Sequence, residues 1–273
     1  MPNPSPGRTP LLTSADVARR LGVSVSAVKR WADDGTLASE RTAGGHRRFR
    51  SGEVERMRRE ACRREGPDAW DGWVRGLESG DVHAAFALLY GERSRLGSWF
   101  PVAERLGELL ADIGARWFRG DLSVAREHVA TSTLGRALLL VAEAMPVPPQ
   151  APRCLLACVE GDDHTLGLSL AEVCLREAGW RTEWIGRDTR RADVCERVGA
   201  HAVQMVGLSA SVHSSDPRRL RAQARAIAQA CRGAGIPLVL GGSGAWPESI
   251  PHGVRIRRWE DFQAFLQATP HPA

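Results

Sequence analysis

The stretch Cys154-Leu155-Leu156-Ala157-Cys158-Val159-Glu160-Gly161-Asp162-Asp163-His164-Thr165-Leu166-Gly167 decides how this chain is read. The apolar run from Cys154 to Val159 predicts a β-strand, and Leu168 to Leu175, with apolar residues at helical spacing, predicts a helix after it. The residues between them form a strand-to-helix loop. That places His164 at the carboxyl edge of a sheet, where open α/β folds bind ligands because the loops there are outside the ladder and the helix N-termini point at them. Asp162-x-His164-x-x-Gly167 also suits a metal site. The imidazole is a ligand, the carboxylate two residues earlier holds one tautomer, and the glycine makes room for a bulky cofactor. The alternative is plainer: Asp162 or Asp163 caps the next helix and His164 is a surface histidine.

Two later features extend the pattern. Ala202 to Leu208 reads as a strand ending at Ser209-Ala210-Ser211, and Ile236 to Leu240 as a strand ending at Gly241-Gly242. Taken together, the DxHxxG loop, the serine ending a later strand and the glycine pair ending the next resemble the cobalamin-binding domain of methionine synthases, mutases and related corrinoid proteins. The resemblance implies a Rossmann-like (flavodoxin-like) α/β fold over residues 153–273. It makes His164 the lower axial ligand of cobalt, with Asp162 supporting His164, and Gly167, Ser209, Gly241 and Gly242 lining the pocket for the nucleotide tail. Ser211 stands where that family carries an aliphatic residue, and it joins the cofactor-contacting set.

Length and composition fit a multidomain globular chain: 273 residues, 43% hydrophobic and 25% charged. No apolar run reaches the roughly 20 residues of a membrane span, and no basic-apolar leader is present, so the expectation is a cytoplasmic, nucleoid-associated protein with no membrane partner. Six cysteines without a CxxC pair read as core thiols of a reducing compartment. Residues 1–66 hold 14 Lys+Arg against 8 Asp+Glu, whereas the remainder holds 23 against 24. The basic excess is N-terminal, which suggests a polyanion partner for that end.

Residues 1–10, rich in proline and polar side chains, read as a disordered arm. Thr13-Ser14 offers an N-cap for a helix to Leu21, Gly22 stops it, and Ser24 caps a second helix through Trp31. These make a helix-turn-helix, with Val17, Leu21, Val25, Val28 and Trp31 packed inside and Ser26, Lys29 and Arg30 facing the major groove. The turn at Gly44-Gly45, between Arg41 and His46-Arg47-Arg48, is a basic hairpin suited to phosphate contacts. Arg30-Trp31, Gly35-Thr36-Leu37 and Gly45-His46-Arg47-Arg48-Phe49 together resemble the winged-helix DNA-binding domain of the MerR family, over residues 11–66. That implies binding to double-stranded promoter DNA through Ser26, Lys29, Arg30, Arg41, His46, Arg47 and Arg48. A helix from Ser51 to Arg64 and a linker at Gly66-Pro67 close this part.

Residues 67–146 read as four amphipathic helices with short connections. Asp81 caps the second, Pro101 sits near the start of the third, and Gly120-Asp121 breaks before the fourth. The expected arrangement is a four-helix bundle, followed by a proline-rich linker at 147–152. A bundle before such a domain resembles the cap of methionine synthase. Trp117, ten residues before Glu127-His128, resembles the bundle of the CarH/LitR group, MerR-type repressors that use adenosylcobalamin as a light sensor. On that resemblance Trp117 shields the upper axial group, while Glu127 and His128 contact the adenosyl moiety. One position departs from the group: Phe118 stands where a histidine follows the tryptophan, leaving His128, His213 or water as upper ligand after illumination.

The function implied is a non-enzymatic, light-responsive transcriptional regulator, expected to repress. It would hold promoter DNA as an adenosylcobalamin-loaded homo-oligomer, dimer or tetramer, in the dark, and release it when light cleaves the cobalt–carbon bond. A cobalamin-dependent regulator indifferent to light, and a corrinoid methyl-carrier or mutase subunit, are the alternatives. A metal-sensing MerR regulator would want a cysteine-rich effector segment, and only Cys62 lies near.

Overall fold

The computed structural model describes residues 11–21, 25–33, 35, 37–42, 44–54, 67–200 and 202–269. The N-terminal arm, the cap at Ser24, the helix beyond Val54 and the Gly66 half of the linker lie outside the described residues. Pro67, read as linker, is the first residue of a helix, where its missing N–H costs no hydrogen bond. The chain divides into two compact units, residues 1–75 with 92–98, and 76–91 with 99–273.

In the first unit, β1 (Leu11–Leu12), β2 (Glu40–Arg41) and β3 (Arg47–Arg50) form an antiparallel sheet of order β1-β3-β2. Helix α1 (Ser14–Leu21) starts in a reciprocal cap: Asp16 N–H donates to Thr13 Oγ1 at 3.1 Å, and the Thr13 N–H and hydroxyl donate to Asp16 Oδ2. Helix α2 (Val25–Asp33) packs on α1 through Val17 and Val28, both fully buried with Leu37, Phe49 and Val54. Val25, expected inside, is 39% exposed, because it is the first residue of α2 and lies before the stripe that meets α1. The Gly44-Gly45 turn is as expected, with Gly45 at φ 77 and its N–H on Thr42 O.

Four helices follow: α3 (Pro67–Glu78), α4 (Val82–Leu96), α5 (Trp99–Arg119) and α6 (Val124–Glu143). The predicted stops and starts hold. Asp81 Oδ1 accepts from the N–H groups of His83 and Ala84, Gly120 takes φ 79, and Ser123 caps α6. The last turn of α3 reaches α6 through a Glu78–Arg126 ion pair of 2.6 Å, and Tyr90 of α4 sets its ring edge-on to Trp99.

The remainder is a five-stranded parallel sheet: β4 (Arg153–Cys158), β5 (Arg181–Gly186), β6 (Met205–Ser209), β7 (Leu238–Gly241) and β8 (Gly253–Arg255), in the order β5-β4-β6-β7-β8. The helices are α7 (Leu166–Glu177), α8 (Arg191–Gly199), α9 (Pro217–Ala234) and α10 (Trp259–Ala268). Period-two alternation sorts the strand side chains between two faces. Leu155, Ala157, Val206, Leu208, Leu238 and Leu240 pack with Val194, Val198, Ile227 and Cys231 of α8 and α9. Cys154, Leu156, Met205, Gly207 and Val239 look the other way, toward α7 and α10. Strand order reverses between β4 and β6, the switch point where doubly wound sheets leave a crevice.

Candidate functional site

Loops after three strands meet at that switch point. Asp162 is 1% exposed, and its carboxylate is tied on both oxygens. Oδ1 accepts from His164 N–H and contacts His164 Nδ1, both at 3.0 Å; Oδ2 accepts from Ser211 N–H at 2.6 Å and the Ser214 hydroxyl at 2.7 Å. Burial alone would push this carboxyl up. The donors, led by Ser214, outweigh burial and hold it down at about 2, so Asp162 is an anion through the neutral range. Neither Asp162 nor Asp163 caps α7, whose N-cap Thr165 makes no side-chain cap bond.

With Nδ1 facing the carboxylate and 3.2 Å from Ser211 Oγ, His164 carries its proton there and leaves Nε2 as the acceptor nitrogen. The side chain is 55% exposed, so this nitrogen is within reach of a ligand from solvent. His213 lies flat against His164, ring centroids 4.4 Å apart and planes 4° from parallel. The loop that carries these groups is pinned from β5 as well: Gly161 N–H donates to Asp188 Oδ1 at 2.6 Å, and Asp188 N–H to Asp162 O at 2.8 Å. Cys158 sits beneath, its thiol pushed up to about 12 by burial and by the charges of Asp162 and Asp163. It is a neutral packing group.

Below the edge, a cavity of about 420 Å³ runs between the sheet and helices α7 and α10. Its mouth is Gly167, Ser209, Gly241 and Gly242; its depth is Leu156, Cys154, Met205, Gly207 and Val239. Glycine is required at position 242 of the mouth. A Cβ on Gly242 would stand 2.3 Å from Ala210 O, at φ 82, and one on Gly167 would crowd Ser209 Oγ at 3.3 Å. From Ser209 to Met205 the slot is about 13 Å deep at strand rise, apolar, and suited to a flat aromatic group on a tether.

Helices α5 and α6 extend past this edge. The Trp99 N–H at the start of α5 donates to Glu177 at the end of α7, and Arg176 reaches Met145 O just beyond α6, while Gly135 lies against Leu166. Thus α6 runs alongside α7 in the same direction and α5 in the opposite one. At 1.5 Å per residue, Glu127 and His128 project about 11 Å beyond the level of Leu166, and Trp117 about 9 Å beyond the 12-residue α7. The structure therefore brings Trp117, Glu127 and His128 to the end that carries His164. There Trp117 is 43% and Phe118 86% exposed, and the half-buried Glu127 faces the neighbouring His128 at 3.5 Å. His213, expected as a possible upper ligand, stacks on the ring of His164.

The residues present fit a cobalamin: an imidazole with a pinned Nδ1 and an available Nε2, an apolar slot for the tail, and glycines where Cβ atoms would close that slot. Sequence reading missed Ser214, whose only signal was a polar loop after Ser209, the stacking of His213 on His164, and the slot floor, signalled by Gly207 in mid-strand.

In the first unit, Lys29, Arg41 and His46 are exposed, as expected of DNA-contacting groups. The side chains of Ser26 and Arg30 lie outside the described residues. Arg47 departs from expectation. Its guanidinium pairs with Asp33 at the end of α2 and is 17% exposed, so it braces the wing against the helix, and Arg48 is half-buried.

The "B12 binding domain" family matches residues 152–252, and the "Helix-turn-helix domain" family matches residues 11–62. The chain therefore couples a helix-turn-helix module to a B12-binding domain. Over 137 residues the chain is 35% identical to the "HTH-type transcriptional repressor CarA" of Myxococcus xanthus, and over 142 residues 32% identical to the "HTH-type transcriptional repressor CarH" of the same organism. These matches span 50% and 52% of this chain, and 45% and 46% of the relatives, so less than half the length of either relative is matched. The structure of the Methanosarcina barkeri monomethylamine corrinoid protein shares the fold, with TM-score 0.53 and 15% identity over 73% of this chain and 96% of that one. No helix among the described residues is long and apolar enough to cross a membrane.

Proposed function

We propose that the chain is a cobalamin-dependent transcriptional repressor of the cytoplasm, not an enzyme, that binds promoter DNA through its winged-helix module. The observation that carries this reading is the Asp162–His164 dyad standing over an apolar slot, on a chain that also holds a helix-turn-helix domain. His164 Nε2 would hold the cobalt of such a cofactor, and Asp162, held by Ser211 and Ser214, would fix the tautomer and offset the charge of the metal. Ser209, Gly241 and Gly242 admit the nucleotide tail. A methyl-carrier role would leave the DNA-binding module without a task, which favours the regulator.

The finer reading is that the four helices close as a bundle over the site and that adenosylcobalamin is the bound form. The group supplies a cobalt–carbon bond that light can break. Trp117 excludes water above it, and Glu127 and His128 offer hydrogen bonds to a nucleoside. Exposed Trp117, Phe118 and Val129 at the overhang support a site completed only when a ligand covers them. By linkage, a ligand that binds one assembly better shifts the population toward it, and two DNA-binding modules on one oligomer raise effective concentration at the operator. Loss of the light-cleavable group would then weaken the oligomer and release DNA. Phe118 favours a second reading at this point, a cobalamin-dependent repressor in which light plays no part, because no histidine follows Trp117 to hold the illuminated state.

Size-exclusion chromatography with absorbance detection separates these readings, run in the dark and after green light on protein loaded with adenosylcobalamin, with a duplex selected from a random-sequence pool. A larger dark species that holds the duplex and dissociates on illumination supports the light reading. Cofactor-dependent DNA binding that ignores light supports the second, and no effect of cobalamin on assembly or DNA contradicts both.

A further inference from the structure

Helix α9 differs from every other helix of its unit. It contains five arginines, at 218, 219, 221, 225 and 232, and no acidic residue, whereas α5, α6, α7 and α8 mix both signs and α10 carries acids alone. Its apolar stripe, Leu220, Ala224, Ile227, Ala228 and Cys231, is buried against the sheet, which turns the arginines outward. At 100° per residue, Arg218, Arg221, Arg225 and Arg232 fall within about 60° of one another, in a row about 21 Å long. Arg219 lies off that row and faces Glu160 at 3.8 Å. The four in the row are exposed and form no ion pair among the described residues. Gln229, exposed, continues the row between Arg225 and Arg232.

A solvated helix ordinarily interleaves acids with such cations; a row of one sign repels itself by a few tenths of a kcal/mol per i,i+4 pair. What relieves that repulsion is an equally regular row of anions. The arginines of the row stand about 4.5, 6 and 10.5 Å apart along the helix axis, a spread that long, flexible side chains can adjust to successive phosphates. Guanidinium forks suit phosphate oxygens. We infer that the exposed face of α9 is a second, sequence-independent DNA-binding surface, seated on the phosphate backbone while the winged helix reads the bases. This rests on the reading of the chain as a DNA-binding regulator. The helix-turn-helix module brings DNA to the molecule, which makes duplex the polyanion at highest local concentration and sets it ahead of an acidic protein surface.

The surface is tested on the full chain loaded with cobalamin, with a labelled 40-base-pair mixed-sequence duplex titrated at several salt concentrations. Each phosphate neutralised contributes about 0.9 to the slope of log K against log salt. Replacing Arg218, Arg221, Arg225 and Arg232 by Gln lowers that slope by about 2 to 4 and weakens binding at least tenfold at 0.1 M salt, whereas Lys at all four keeps most of the slope. The two sets share the loss of the guanidinium, so folding damage would affect both, and melting temperatures within a few degrees of wild type confirm that neither is damaged. An unchanged slope in the Gln set overturns the proposal and leaves the row for an acidic protein. If wild type itself does not bind duplex at any salt concentration, the DNA-binding reading fails first.

Discussion

The edge that carries His164 and the overhang that carries Trp117 stand at the same end of one unit, yet they are built in opposite ways. At the edge, Asp162 is buried with four hydrogen-bond contacts, the loop is pinned from two other strands, and His164 is held on its Nδ1 and across one face. At the overhang, Trp117 and Phe118 are open to solvent, and among the described residues the Glu127 carboxylate pairs with the neighbouring His128 alone. Pre-organised groups bind without further ordering cost, while loosely held ones are ordered by what they bind. On the proposed function, that difference would give affinity to the edge and response to the overhang.

That division is most exposed to test in the slot. Gly207→Leu fills the floor, where even a Cβ would sit 3.0 Å from Leu156 Cδ2. We expect cobalamin affinity to fall at least a hundredfold, and binding of cobinamide, which has no nucleotide tail, to change less than tenfold, both by absorbance titration. Gly242→Ala forces a side chain to φ 82 against Ala210 O. Urea unfolding is expected to show a loss of about 2 to 4 kcal/mol.

Ser214→Ala removes one donor to a charged, buried carboxylate, about 1.5 to 3 kcal/mol, and cobalamin affinity should fall ten- to a hundredfold. The pH dependence has a definite sign. Asp162 is held below the ordinary carboxylate value near 4, so its contribution to stability is complete above about pH 4 and is lost as pH falls toward about 2. Ser214→Ala moves that loss to higher pH in acid melts. His213→Ala should weaken binding only about threefold to fivefold, with His213→Phe restoring it, since what His213 offers His164 is a flat face.

The smallest effect on the fold belongs to the overhang. Trp117→Ala is expected to leave stability within about 0.5 kcal/mol of wild type, as for other exposed positions. It should nonetheless reduce discrimination between adenosyl- and methylcobalamin in competition titrations. A large loss of stability there would break the division between edge and overhang.

Much of the edge was legible because it is local. A strand, a loop and a helix that follow one another directly in sequence place Asp162, His164 and Gly167 by short-range rules, and Ser209 and Gly241 follow from strand ends. Ser214 was not legible, because its partner is 52 positions away and a serine in a polar loop carries no mark of which carboxylate it will meet. The stacking of His213 on His164 was not legible for the same reason. Arg47 read as a DNA contact because sequence shows its charge; only folding sets it against Asp33. Val25 failed because helical periodicity does not say where a short helix begins to touch its neighbour. The row on α9 was visible all along as spacing, but its exposure depended on which face the sheet takes.

The central claim is that His164 ligates cobalt over a tail-accepting slot. Titration of the full chain and of His164→Ala with adenosylcobalamin in the dark, followed by absorbance, tests it most directly. The account predicts that wild type displaces the cofactor's own benzimidazole, shows the spectrum of imidazole ligation, and binds at least fifty times more tightly than the variant. Equal affinities with superimposable spectra would contradict it.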